Sequence, residues 1–254
     1  MDDLRVIIPA AGKGTRLFTE KDDPPKVMRR AAGRPLLQTV LEATAFIPPE
    51  DTFIVVGYKK EQVMSFLGPG YRYIEQNEQL GTGHAVLVCE EAFRGFSGTV
   101  LVTFGDMPLF RREDLQAICR YHREKGAACT LMTAENPELT LWARIVRDED
   151  GRFARIVEGK DASPEEAEIT ELFSGVLVFD SRLLFEILPE VRTDNVQKEY
   201  YLTEVPELMV RRGLPVETYF IRDGNDLRGV NTPEDLVICE ALLRERLLAQ
   251  KESE

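Results

Sequence analysis

"VIIPAAGKGTRLF", Val6 to Phe18, decides the fold. A short apolar, β-branched run ends abruptly in a glycine-rich turn that carries a lysine and an arginine. Such a run, bounded by turn residues, reads as a buried strand. In open parallel α/β sheets, ligands bind beyond the carboxyl ends of the strands, and Ala10 to Arg16 stands in that place. Gly12 and Gly14 permit backbone shapes and close approach that a Cβ would forbid. The N–H groups of the turn from Ala11 to Thr15 can then point inward at an anion.

Two named phosphate loops fail on this stretch. A dinucleotide fingerprint needs G-x-G-x-x-G, and Leu17 stands where the third small residue belongs. A P-loop needs G-x-x-x-x-G-K-[ST]; here Ile7 replaces the first glycine and Gly14 follows Lys13. What remains is G-x-G-T-R with a second cation, Lys26 of "PPK", ten residues after Arg16. Arg16 can grip oxygens bidentately and Lys26 can act as a point charge, a combination that suits a triphosphate. A tight strand–helix connection with solvated charges is the plainer alternative.

Working outward, "TFIVVG" and "TVLVTF" repeat the buried-strand pattern of "RVIIP". Helical spacing separates them in "PLLQTVLEATAF" and, after Thr82, in "GHAVLVCEEAF". "REDLQAICRYHREKG" is an amphipathic helix with Gly126 as its stop. Strand–helix–strand repetition implies an α/β fold: a mostly parallel, Rossmann-like sheet with helices on both faces. The second half changes character. "CTLMTA", "LWARIVRD", "GRFARIVE", "ELFSGVLVFD" and "LPVETYFI" are strand-like, with "DEDG" at Asp148–Gly151 as a hairpin turn, so an antiparallel portion joins the parallel sheet. From Thr232 through about Arg246 a helix opens on "NTPED", and the tail "AQKESE" is expected to fray. The division is therefore a main domain, 1–232, and a C-terminal helix with its tail, 233–254.

The 254 residues carry a formal net charge of −12. That argues against a general nucleic-acid or anionic-membrane binder, though not against an anionic small substrate held in a locally positive pocket. Four cysteines, Cys89, Cys119, Cys129 and Cys239, form no CxxC pair, and only two histidines are present. Free thiols in a reducing compartment are expected rather than a zinc site. The acidic start "MDDLR" is unlike a signal peptide, and no apolar run reaches the ~20 residues of a membrane span. A cytoplasmic protein is expected.

Six motifs then follow in order: "VIIPAAGKGTRL…PPK", "QNEQLGTGHAV", "GDMPL", "IVEGKDA", "EYYLTEVPELM" and "GVN". Together they resemble the sugar-phosphate nucleotidylyltransferases, and most of all the pyrophosphorylase domain of the N-acetylglucosamine-1-phosphate uridylyltransferases. The resemblance runs from about Arg5 to Glu234 and implies the nucleotide-diphospho-sugar transferase fold. It also implies a reaction joining a sugar 1-phosphate to UTP, with pyrophosphate released. Ala10, Ala11, Gly12, Gly14 and Thr15 would cradle the triphosphate, with Arg16 and Lys26 neutralising it. Gln76, Gly81 and Thr82 would read the base, since an amide and close backbone groups match a uracil edge; His84 is left as structural.

Asp106, just past an apolar strand, suits Mg²⁺, which takes one or two protein oxygens plus phosphates and waters. The resemblance implies Asn231 as the second ligand. It places Glu158, Tyr201 and Thr203 on the acceptor-sugar wall, with Lys160 nearby. Three positions on that wall depart from the family pattern. Phe173 replaces an amide, Ala143 a glycine and Phe104 a tyrosine, which weighs on acceptor specificity more than on the transfer chemistry. No hexapeptide repeats follow, so the acetyltransferase β-helix of the bifunctional relatives is expected to be absent. Other acceptors, a molybdopterin guanylyltransferase, and a catalytically weak nucleotide-sugar sensor stand as alternatives. Oligomeric state is not read from the sequence.

Overall fold

The computed structural model describes residues 3–17 and 23–252, with side chains through Ala249. Phe18 and the last two residues of the tail lie outside that range. Eleven strands are described: β1 (Leu4–Pro9), β2 (Arg30–Ala31), β3 (Arg34–Pro35), β4 (Thr52–Val56), β5 (Arg72–Glu75), β6 (Thr99–Val102), β7 (Cys129–Glu135), β8 (Arg144–Arg147), β9 (Phe153–Val157), β10 (Glu171–Asp180) and β11 (Val216–Phe220). The central sheet has the order β11-β7-β10-β6-β1-β4-β5. β6, β1, β4 and β5 run parallel to one another, as do β11 and β7. Only β10 runs antiparallel to both strands beside it. The β8–β9 hairpin hangs from β10, and β2–β3 form a separate ribbon.

Burial on both faces explains why the strands read as continuous apolar runs. Val6, Ile7 and Ile8 of β1 have no solvent exposure, and each contributes about 1.5–3 kcal/mol by leaving water. Val6 and Ile8 point into one core layer with Ile54, Val56 and Leu101. Ile7 points into the other, with Val55, Val100 and Leu131.

The helices are α1 (Leu36–Ala43), α2 (Lys60–Leu67), α3 (Thr82–Leu87), α4 (Glu90–Phe93), α5 (Arg112–Lys125), α6 (Pro164–Ala167), α7 (Ser181–Ile187), α8 (Val205–Arg211) and α9 (Pro233–Glu252). α1, α2 and α5 cover the first layer through Leu37, Val63 and Ile118. α3, α4, α7 and α8 cover the second through Val86, Phe93, Leu184 and Val205. α5 carries acids in its first turn and bases in its last, and Gly126 stops it at φ +58°, in accord with the helix dipole.

Two elements differ from the sequence reading. The helix after Thr82 is broken in two, because bonds at Cys89 and Ala92 tighten to carbonyls three residues back. α9 does not stop near Arg246 but continues to Glu252, so the described part of the expected frayed tail is helical. α9 packs on the rest of the chain, with Cys239, Leu242 and Leu243 against Leu17, Leu36, Leu109 and Val230.

Candidate active site

β1, β4 and β6 all end at one edge of the sheet, and the turns leaving them carry the candidate residues. The exit of β1 stays paired to β4 for two residues more: Ala10 N–H donates to Val55 O at 2.8 Å, and Tyr58 N–H to Ala11 O at 3.1 Å. A Cβ on Gly57 would lie 2.9 Å from the Ala11 methyl, so a glycine unremarked in the sequence permits this closure. Gly12 and Thr15 are exposed, and Gly14 turns at φ +65°. A Cβ on Gly14 would lie 2.6 Å from Lys26 Cβ. The missing side chain is thus the slot through which Lys26 reaches inward.

At the end of that reach Lys26 Nζ is salt-bridged to Asp106 and donates to Asn231 Oδ1 at 2.8 Å. Arg16 donates to the same Asn231 oxygen at 3.1 Å. Four residues separated by up to 215 positions therefore meet around one amide oxygen and one carboxylate. Asp106 follows β6, and Val230 N–H donates to its backbone oxygen at 2.9 Å. Asp235, in the first turn of α9, accepts from Asn231 N–H at 2.9 Å and Thr232 N–H at 2.8 Å. Thr232 Oγ1 accepts in return from Asp235 N–H at 3.2 Å. This capping box fixes the backbone that presents Asn231. The "NTPED" string contains that signal.

Further cations line the same edge. Lys59, at φ +50°, donates to Asp23 O at 2.8 Å. Arg29 pairs with Asp23 and donates to Leu17 O at 2.7 Å, and Lys13 lies over the Tyr58 ring. Despite a net charge of −12, this edge offers an anion a concentrated positive field.

The proposed base reader is arranged differently from the expectation. Gln76 is buried, and its amide nitrogen turns inward to Gly81 O at 3.3 Å and His84 Nδ1 at 3.0 Å. His84, left as structural in the sequence, braces this amide, whose oxygen takes no part in the tie. The space a Cβ would need at Gly81 and at Gly83 is filled by the backbone of Tyr200. A Cβ on Gly81, at φ +113°, would lie 2.6 Å from Tyr200 O. Tyr200 N–H donates to Leu80 O at 2.8 Å, and Gly83 N–H to Tyr200 O at 2.7 Å. Thr82 Oγ1 accepts from Leu202 N–H at 3.0 Å, so its hydroxyl is a brace. The "QLGTG" and "EYYLT" segments are zipped together.

Among the residues expected to face an acceptor sugar, Thr203 donates to Glu158 Oε1 at 2.8 Å. Burial pushes the Glu158 carboxyl above the usual carboxylate range, with Asp161 adding to the rise and the Thr203 bond opposing it. Tyr201 is pushed up to about 12 by burial and by the carboxylates of Asp161, Glu158 and Glu199. Lys160 is exposed. Phe173 and Ala143 are joined by a Phe173 N–H to Ala143 O bond of 2.9 Å and are only 5% and 7% exposed. Both belong to the second core layer, and Phe104 packs against both layers. Phe173 precedes a register shift in β10 at which Gly175 turns at φ +89° beneath the Phe104 ring.

The sheet order defines an α/β protein of the open, mostly parallel type with a cation-lined edge. The chain belongs to the family of MobA-like NTP transferase domains, whose model matches residues 6–194. It is 41% identical over 245 residues to the bifunctional protein GlmU of Alkaliphilus metalliredigens, covering 96% of this chain and 53% of that protein. The GlmU of Enterococcus faecalis is 40% identical over 247 residues, with 97% and 53% covered. The chain thus spans about half the length of the curated relatives it matches. A UDP-glucose pyrophosphorylase solved with UDP-glucose shares the fold at TM-score 0.77 and 20% identity, over 95% of this chain and 98% of that one. A Bacillus anthracis structure described as a putative glucose-1-phosphate thymidylyltransferase superposes at TM-score 0.73 and 18% identity, over 95% of each chain.

Proposed function

We propose that this protein is a Mg²⁺-dependent nucleotidylyltransferase that joins a sugar 1-phosphate to UTP, giving a UDP-sugar and pyrophosphate. The acceptor is N-acetylglucosamine 1-phosphate or a related hexose 1-phosphate. The observation that carries this reading is the convergence of Lys26, Asp106, Asn231 and Arg16 at the carboxyl edge of the parallel strands. Identity to the GlmU proteins and the NTP transferase family supports it. Catalysis rests on residues 1–232, with the C-terminal helix as an attached support. Four buried free thiols suit a reducing compartment, and we place the protein in the cytoplasm. No described helix is long and apolar enough to cross a membrane.

A divalent ion fits the residues present. The Lys26 ammonium already lies between the Asp106 carboxylate and the Asn231 amide oxygen, so both oxygens converge on one point of positive charge. No cluster of three or more acidic, His or Cys ligands exists among the described residues. Two protein oxygens completed by phosphates and water match the habit of Mg²⁺. When bound by Asp106 and Asn231, the ion supplies charge neutralisation and orientation at the α-phosphate.

A sugar 1-phosphate oxygen is anionic at neutral pH, so attack on the α-phosphorus needs no general base. The P–O bond to the β-phosphate breaks in line and pyrophosphate leaves. Arg16 and Lys26 hold the phosphates, and the amide-lined turn from Ala10 to Thr15 cradles the leaving group. Gln76, Gly81 and Thr82 form the base side, where the Gln76 amide oxygen accepts from an imide N–H. Glu158 accepts from the sugar hydroxyls, oriented by Thr203, while Tyr201, Phe104, Phe173 and Ala143 form the wall behind.

The apolar burial of Phe173 and Ala143 favours an acceptor other than an N-acetylamino sugar as a second reading, because a phenyl ring offers no amide hydrogen bond. A pyrophosphate-release assay with Mg²⁺, UTP or GTP, and a panel of sugar 1-phosphates tests both. Release with UTP is expected, and the preferred acceptor reports the specificity. Silence across the panel would overturn the enzymatic reading.

A further inference from the structure

The loops that carry Asp106 and Asn231 meet at the Val230 N–H to Asp106 O bond, beside which Leu109 and Val230 share one apolar cluster. Away from that point they are held by a charged cluster that the transfer reaction does not use. Arg246, on α9, donates to Leu109 O in the Asp106 loop and pairs with Asp226 in the Asn231 loop. The same guanidinium lies 3.3 Å from Asp223, and Arg111 pairs with Asp223 at 2.7 Å. Asp226 is 1% exposed, and Arg111 Nε lies 3.4 Å from its Oδ2. At its other end α9 caps Asn231 through Asp235, and between them Cys239 Sγ contacts Arg228 O at 3.8 Å.

A buried ion pair is a poor source of stability, since apolar residues of similar volume commonly do as well. What this cluster supplies is registry. One planar fork holds a carbonyl of the first loop and a carboxylate of the second, a task that matches the fixed geometry of Arg and not the single ammonium of Lys. We propose that Arg246 is a positioning residue: by gripping Leu109 O and Asp226 together, it fixes how far Asp106 stands from Asn231 and thereby sets the affinity of the site for a divalent cation. The inference rests on the reading of Asp106 and Asn231 as the metal ligands. Outer groups that orient ligands commonly affect metal affinity by about 10–100-fold.

Mn²⁺ binding in the presence of UTP and without acceptor, followed by electron paramagnetic resonance, tests this on the full chain. Arg246→Lys keeps a positive charge beside Asp226 but cannot span both partners. It is expected to melt close to wild type while binding Mn²⁺ about tenfold more weakly. The Mg²⁺ needed for half-maximal pyrophosphate release should rise in parallel, more than turnover at saturating metal falls. Arg246→Met, which keeps the stem without the charge, should show the same or a larger loss. Wild-type Mn²⁺ affinity in folded Arg246→Lys and Arg246→Met would overturn the proposal. Asp106→Asn separates the two claims. If it binds Mn²⁺ like wild type, the metal assignment fails and this inference with it. If it loses Mn²⁺ while the Arg246 variants do not, only the positioning role fails.

Discussion

Lys26 is the residue on which the site turns. Its stem fills the space above Gly14 and its ammonium joins Asp106 to Asn231. Lys26→Met retains the stem and removes the charge, so folding should survive while turnover falls. Loss of one preorganised charge at a phosphate costs on the order of a hundredfold or more. Asp106→Ala should fall as far. Thermal melts and pyrophosphate release on the same preparations check both; near-normal turnover in either would remove the residue from the chemistry. Gly12 offers a complementary case. Nothing lies within 4 Å of a Cβ there and its φ is not positive. Gly12→Ala should therefore leave stability within about 0.5 kcal/mol of wild type. A rise in the nucleotide KM with unchanged stability would report that the ligand approaches the turn as closely as the backbone allows.

Among the elements, the pairing of the 80–83 turn with residues 200–202 joins the proposed base side to the proposed acceptor wall. Gly81→Ala would place a methyl 2.6 Å from Tyr200 O at a backbone angle that side chains rarely adopt. A destabilisation of about 1–3 kcal/mol is expected, together with higher KM values for both substrates, read by urea denaturation and steady-state kinetics. A change confined to one substrate would show that the two walls move separately. This pairing was not legible in the sequence, because glycines that admit a ligand and glycines that admit another strand of the same chain look alike. The same holds for Gln76, whose amide spends its donor on Gly81 O and His84. Legible, by contrast, were strands with two buried faces: β1, β4, β6 and β10 each carry an unbroken apolar run. β5 was missed because it is a sheet-edge strand with Arg72 and Glu75 exposed, and α2 because Val63 is its one fully buried residue. The cap formed by Thr232 and Asp235 follows from spacing alone; the Arg246 cluster does not, since its members are spread over two loops and α9.

At the scale of the whole molecule, pH should act on stability through groups remote from the candidate site. His122, in α5, is buried against Thr130 with Nδ1 2.9 Å from the hydroxyl. Burial lowers its pKa from 6.5 to about 4, with Arg123 acting in the same direction and Asp180 against it. The unfolded chain therefore takes up this proton more readily than the native one. The stability it contributes is complete above pH 6.5 and lost as the pH falls toward 4, about 2 kcal/mol between pH 7 and pH 5. Asp226 runs the other way, since burial raises its carboxyl to about 6 and its ionisation weakens the native state as the pH rises from 3.8 through that value. His122→Gln should flatten the loss between pH 7 and pH 5 in urea melts at the two pH values. An unchanged slope would place the acid sensitivity elsewhere.

Arg16 and Asn231 stand 215 positions apart yet share a hydrogen bond. During synthesis, the parallel strands that form the floor beneath Arg16 have all been made by Val102, and the last strand of the sheet by Phe220. The amide that joins the cationic turn emerges only after that. A nascent chain halted before residue 231 holds these strands and still lacks the amide that joins Arg16 and Lys26, so the proposed centre is assembled only after the sheet itself has been made.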